Sequence, residues 1–197
     1  MTLRCPLTRA GLALGLLTAL AGVTGCASPP LQLYTLGYGG ADVSVPTTPD
    51  QRPLVYVARV ALPDYLDTQD MVTRDGLALN RSPSGRWAAR LSEQATALIA
   101  SVLRERTPAL AITDQHPLLP PSARLEVVIE KLDMTADGAA TLAASWTLIP
   151  SDTGAPLTRN RTVITRPTTG TGDAALAAQT RTLLTDLAQQ IVLPATI

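Results

Sequence analysis

Three stretches of the C-terminal half constrain the fold more than any other feature of this chain. Arg124–Asp133 (RLEVVIEKLD) sets Leu125, Val127 and Ile129 against Glu126 and Glu130. Leu142, Ala144, Trp146 and Leu148 then alternate with Thr141, Ala143, Ser145 and Thr147, and Leu157–Thr165 forms a third run. Successive side chains of a strand point to opposite faces, so a period of two marks a strand with one dry face and one wet face. Asp137-Gly138 and Asp152-Thr153-Gly154 supply turn chemistry between the runs. Connections this short predict an antiparallel meander. Its apolar face must then be covered by other elements.

Two helical patterns are available to cover it. Trp87, Leu91, Ala95, Leu98 and Val102 recur at spacings of three and four, predicting a helix from about Ser84 to Pro108. Asp173–Val192 carries the stripe Leu176, Thr180, Leu183, Leu187 and Ile191, with Asp173 in the position of an N-cap. Upstream, Leu31–Leu36, Leu54–Val60 and Ala109–Thr113 read as strands. Asp70–Arg74 and Leu77–Asn80 read as a hairpin across Asp75-Gly76, which suits a type I′ turn. Gly37–Pro53 and His116–Pro121 read as loops. The expected fold is α+β: an antiparallel or mixed β-sheet with two main helices packed on one face, in a single domain over residues 31–197. Phenylalanine is absent, so Leu, Val, Ile and Ala must fill the core, with Trp87 and Trp146 as its large members.

The N-terminus has a different character. Gly11–Cys26 is uncharged and follows Arg4 and Arg9. A basic start and a short apolar run make a secretory signal, too short for a permanent transmembrane helix of about 20 residues. Val23-Thr24-Gly25-Cys26 resembles the bacterial lipobox. Residues 1–25 are therefore expected to be a lipoprotein signal peptide, with Cys26 the lipid-attachment residue and 26–30 a lipidated tether. Ala27, rather than Asp, follows the cysteine, the pattern of lipoproteins released to the outer membrane in enteric bacteria. Cleavage leaves 172 of the 197 residues, with 14 basic against 16 acidic side chains and a formal charge of −2. Cys5 leaves with the signal and Cys26 is spent on lipid, so the folded domain has no thiol for a disulfide or a cysteine metal site.

Chemical motifs are sparse. His116 is the single histidine and precedes proline, with no second ligand near it in sequence. Asp64, Asp67, Asp70 and Asp75 lack the spacing of a calcium loop. No Gly-x-Ser-x-Gly elbow, phosphate-binding glycine loop or basic block is present. The expectation is a protein that is not an enzyme, with no metal, no cofactor beyond the covalent lipid on Cys26, and no nucleic-acid partner.

A longer pattern lies between these elements. Val60-Ala-Leu-Pro-Asp-Tyr-Leu-Asp67, Met71-Val-Thr-Arg-Asp-Gly76 and Arg86-Trp87-Ala88 with Leu91 are joined by Leu33-Tyr-Thr-Leu36 and Leu142-Ala-Ala-Ser-Trp146-Thr-Leu148. Together they resemble the PqiC family of ABC-type transport auxiliary lipoproteins associated with mammalian-cell-entry (MCE) proteins. The chain departs from the family at Ala58-Arg59, Thr68–Met71 and Ala89-Arg90. The resemblance implies a palmitate-bearing lipoprotein on the periplasmic face of the outer membrane. There it would dock an MCE-domain protein, whose inner-membrane permease system moves phospholipid, and help maintain membrane integrity. Because MCE proteins form rings, a homo-oligomeric ring is a matching expectation. Tyr65 and Leu66 lie in a turn-rich segment with arginines nearby, so Tyr65, Leu66, Arg74 and Arg86 are the candidate partner-binding residues. Against this stands a plain capping role for Tyr65 at the sheet edge. A second functional reading is a periplasmic lipoprotein that itself carries an acyl chain, in room left by Ala139, Ala140, Ala143 and Ala144.

Overall fold

A computed structural model describes residues 30–37, 50–135 and 138–194. The expected signal peptide, Cys26, most of the expected Gly37–Pro53 loop and Asp137 lie outside the described residues. The unit from Leu31 onward contains eight strands and two helices among the described residues: β1 (Gln32–Tyr34), β2 (Leu54–Val57), β3 (Asp70–Asp75), β4 (Ala78–Trp87), α1 (Leu91–Arg106), β5 (Ala111–Thr113), β6 (Ala123–Met134), β7 (Ala139–Pro150), β8 (Thr158–Pro167) and α2 (Gly172–Gln190).

The strands form two sheets. A five-stranded sheet has the order β5-β2-β6-β7-β8, and a three-stranded sheet the order β1-β4-β3. β6, β7 and β8 make the expected antiparallel meander, with Val127 opposite Trp146 and Leu142 opposite Ile164. β2 enters this sheet parallel to both β5 and β6, so the sheet is mixed. The fold is a single α+β domain. The helices pack on each other, and their C-terminal ends meet where Arg106 Nη1 donates to Ala188 O at 2.8 Å. Leu98, Ile99 and Leu103 of α1 and Leu183, Leu184 and Leu187 of α2 join Leu125, Ile129 and Leu142 of the sheet in one core. All five residues of the α2 stripe are buried, and so are Trp87 and Trp146.

Four details differ from the expectations. First, α1 begins at Leu91 instead of near Ser84, and Trp87 closes β4. The i,i+4 spacing of Trp87 and Leu91 mimics a helix, but long-range ladders claim the backbone there. Trp87 N donates to Gln69 O at 2.7 Å, and Ala88 N to Tyr34 O at 2.7 Å. Second, β4 continues to Trp87 through a bulge, because the β3 register shifts from Val72↔Arg81 to Asp70↔Arg86 and sets Ser82–Gly85 outside the β3 ladder. Third, the hairpin turns on Gly76-Leu77, between paired Asp75 and Ala78. Gly76 is left-handed at φ +56° and Leu77 is not, the φ pattern of a type II′ turn and not of type I′.

Fourth, Thr171 is the N-cap of α2, and Asp173 lies inside the first turn. The Asp173 carboxylate instead accepts hydrogen bonds from Ser82 Oγ (2.8 Å) and Ser84 Oγ (3.4 Å), binding the β4 bulge to the helix start. Its negative charge remains favourable there, beside the exposed N–H groups of the helix. Gly85 makes this approach feasible, since a Cβ at that position would collide with the Asp173 carboxyl.

Candidate partner-binding site

β2 ends at Val57, the chain makes one further bridge to β6 at Ala61–Val128, and after it the chain folds into a tight turn in which Leu66 N and Asp67 N both donate to Pro63 O (2.8 and 3.1 Å). This turn buries the two residues nominated from the sequence to different depths. Leu66 is only 6% exposed and belongs to the core, whereas Tyr65 is half-buried at its margin. Leu66 thus serves the fold, and any surface here is built by Tyr65.

β3 brings Arg74 to Tyr65. The Arg74 guanidinium carbon lies 5.6 Å from the centre of the Tyr65 ring, a cation–π distance, and its Nη2 donates to Tyr65 Oη at 3.4 Å. Arg74 Nε donates to Asp133 Oδ2 at 2.6 Å. Asp133 is 4% exposed, and Lys131 Nζ stands 3.6 Å from the same oxygen. The Asp133 hydrogen bond, and after it the one to Tyr65, raises the Arg74 pKa above its already high value, so the guanidinium stays charged. The arrangement joins the two sheets: Arg74 of the three-stranded sheet is tied to Asp133 of the five-stranded sheet, and Arg74 bridges Thr135 in backbone register.

Arg86 belongs to a separate cluster. Its Nε is 3.1 Å from Asp70 Oδ1, and its Nη1 donates to Ser82 O and Gly85 O at 2.7 Å each. Arg81 pairs with the other Asp70 oxygen at 3.3 Å. The structure therefore unites Tyr65 with Arg74 and sets Arg86 at the opposite end of β3, where it braces the bulge.

Asp133 is the member that sequence reasoning missed. A bulge at Glu130, between the pairs Ile129↔Ala144 and Lys131↔Ala143, exchanges the faces of β6. Leu132 and Met134 turn inward, and Asp133 moves to the other face, opposite Thr141. The only signal in the sequence is a break in the alternation at Glu130-Lys131.

An open cleft of about 510 Å³ adjoins Arg74, between the β3–β4 hairpin, the end of β6 and the start of α2. Thr73, Asn80, Met134, Gly170 and Leu176 are among its walls. None of Ala139, Ala140, Ala143 and Ala144 lines it. Ala140 and Ala144 are fully buried and Ala143 nearly so, which is close packing and not a void. Among the described residues, no three His, Cys, Asp or Glu side chains are placed to share a metal ion, and no helix is long and apolar enough to cross a membrane.

Known proteins give the fold a context. An uncharacterised protein of known crystal structure superposes with a TM-score of 0.67 at 18% identity, over 82% of this chain and 95% of that one. A protein from Xanthomonas campestris superposes with a TM-score of 0.61 at 18% identity, over 81% and 91%. At these identities the likeness is one of fold. No curated protein matches in sequence. A family model described as an ABC-type transport auxiliary lipoprotein component matches residues 34–192, from the first strand to beyond the last helix. The chain belongs to the family of ABC-type transport auxiliary lipoproteins.

Proposed function

We propose that this chain is an outer-membrane-anchored adaptor, acylated on Cys26, that docks the periplasmic MCE-protein assembly of a phospholipid transport system. The family match over residues 34–192 carries the reading. The resemblance of the Val60–Asp67 and Met71–Gly76 segments to PqiC supports the MCE assignment. The Tyr65–Arg74 pair is the contact we assign to the partner, because it combines a half-buried aromatic at the core margin with a cation already held in place by Asp133. A pre-positioned arginine loses less side-chain freedom on binding than a free one. The lipid would act through effective concentration, confining every copy to one membrane surface before a multimeric partner arrives.

Docking fits the structure better than acyl-chain carriage. The alanines that would leave room for a chain are packed, and the cleft beside Arg74 is open and partly polar. The test has two arms. Palmitate labelling should mark the full chain and be lost in Cys26→Ser. Photo-crosslinking from the membrane-bound protein should capture an MCE-domain protein, and Tyr65→Ala with Arg74→Ala should lower that capture at least several-fold. Unchanged capture by the double variant removes Tyr65 and Arg74 from the contact. Phospholipid retained by the delipidated domain in native mass spectrometry would favour the carrier instead.

A further inference from the structure

We propose that β8 is a pairing edge for a second copy of this chain. Two β8 strands lie antiparallel across a two-fold axis at Thr162 and join their five-stranded sheets into one continuous sheet. The inference depends neither on the partner contact at Tyr65 and Arg74 nor on the lipid anchor.

β8 is the last strand of its sheet and pairs only with β7 among the described residues. Its ladder runs from Ala139↔Pro167 to Leu148↔Thr158 without a register shift, so no bulge twists the edge away from a neighbour. Just beyond the last pair, Thr168 N donates to Gly138 O at 2.6 Å. Backbone groups alternate in direction along a strand, so the even-numbered residues from Thr158 to Arg166 also face β7. Arg159, Arg161, Val163 and Thr165 therefore turn their N–H and C=O groups outward, where no strand follows among the described residues.

Edge strands are commonly guarded by charged side chains. The arginines of β8 do not serve that purpose, because each is drawn back over its own chain. Arg159 Nε donates to Thr147 Oγ1 of β7 at 3.3 Å, Arg161 pairs with Glu130 of β6 at 2.6 Å, and Arg166 pairs with Asp186 of α2. Val163 is left bare at the edge, 60% exposed.

One register makes the strand complementary to itself. The two-fold axis must fall on a residue, since an axis between residues would set outward groups against groups that face β7. Centred on Arg161, it would oppose two like charges. Centred on Val163, it would set Pro167, which has no N–H, opposite Arg159. Centred on Thr162, it pairs Arg159 with Thr165 and Arg161 with Val163 of the second copy, so all four outward residues find hydrogen-bonding partners. Val163 then packs on the aliphatic stem of Arg161 of the second copy, whose charge is held inward by Glu130. The two Thr162 side chains meet at the axis, a favourable cross-strand pair. The contact is isologous, distinct from the head-to-tail contacts of a ring.

Cysteine occurs only at positions 5 and 26, so a cysteine placed on β8 reports its own linkage. At the axis the two Thr162 Cα atoms would stand about 4.5 Å apart, inside the disulfide range of about 4.4–6.8 Å. The full chain is oxidised with copper phenanthroline in the cells that make it, and the linked peptides are identified by mass spectrometry. Thr162→Cys should give a disulfide between its two copies. Thr158→Cys should give roughly ten-fold less, because Thr158 stands opposite Arg166 of the second copy and its own counterpart lies roughly 26 Å along the strand. Added to Thr162→Cys, Val163→Lys sets like charges against Arg161 of the second copy and should lower the link several-fold, whereas Val163→Glu should preserve it. Val163 is a solvent-facing edge residue, so neither change disturbs the core. Thr162→Cys linked no more than Thr158→Cys overturns the pairing, as does equal linkage with Val163→Lys and Val163→Glu. Stronger linkage of Val163→Cys than of Thr162→Cys overturns the register.

Discussion

In the β6–β7–β8 meander each strand meets its neighbour directly across a turn, and Leu125, Ile129, Leu142 and Leu148 form an unbroken buried surface. In the three-stranded sheet, β1 meets β4 only after the whole of β2, β3 and the intervening loops has passed, and β1 itself is three residues long. The large sheet is stabilised chiefly by apolar burial against two helices. The small sheet depends on discrete ties: Asp173 to the bulge, Arg74 to Asp133, and Leu36 N held by Gln94 Oε1 at 2.8 Å while Leu36 O accepts from Arg181. Adjacent strands close small loops and burial is spread over many residues, so no single polar contact decides the meander. A three-residue strand has no such reserve.

The largest test of this contrast is Leu142→Ala. Leu142 is fully buried, and its loss should lower global stability by about 2–5 kcal/mol in chemical denaturation, with both sheets unfolding together. Separate transitions for the two sheets would break the picture of one shared core.

Gly85→Ala should act next most strongly, and locally. Its new methyl group must push the Asp173 carboxyl from Ser82 and Ser84, at a cost of about 1–3 kcal/mol. Hydrogen exchange should accelerate in β1, β4 and the first turn of α2 while the β6–β7 amides stay protected. Uniform acceleration across both sheets would show that the small sheet has no separate opening.

The smallest effect belongs to the exposed face of the large sheet. The Arg161 guanidinium, 2.6 Å from Glu130 Oε2, holds the Glu130 carboxyl below the ordinary glutamate value, with a minor contribution from Ser145. A carboxylate whose pKa is lowered on folding stabilises the native state fully above its unfolded pKa, and that contribution fades as pH falls through the folded value. An NMR titration should find Glu130 low in the wild type and returned upward in Arg161→Ala. Stability at neutral pH should hardly change, because both side chains are solvated. A large loss of stability would show that polar ties matter to the meander too.

The candidate site was legible only as a set of residue types. Tyr65 and Arg74 stand nine positions apart in a turn-rich segment, which suggested a shared surface, and the turn at Pro63 with the course of β3 does bring them together. Leu66 looked equivalent to Tyr65 because nothing local tells which side of a tight turn faces the core. Asp133 was invisible as a partner because its position depends on a bulge in a strand whose first half alternates without fault.

Period-two alternation and turn residues by themselves determined the meander, and period 3.6 determined the two helices, because those patterns arise from the local geometry of the backbone. Composition alone excluded a disulfide within residues 31–197, because cysteine occurs only at positions 5 and 26. The end of β4, the start of α1, the entry of β1 beside β4 and the Arg74–Asp133 tie were decided only by tertiary structure. In each case a backbone or side-chain group had two acceptable local partners, and the choice fell to a strand or carboxylate distant in sequence.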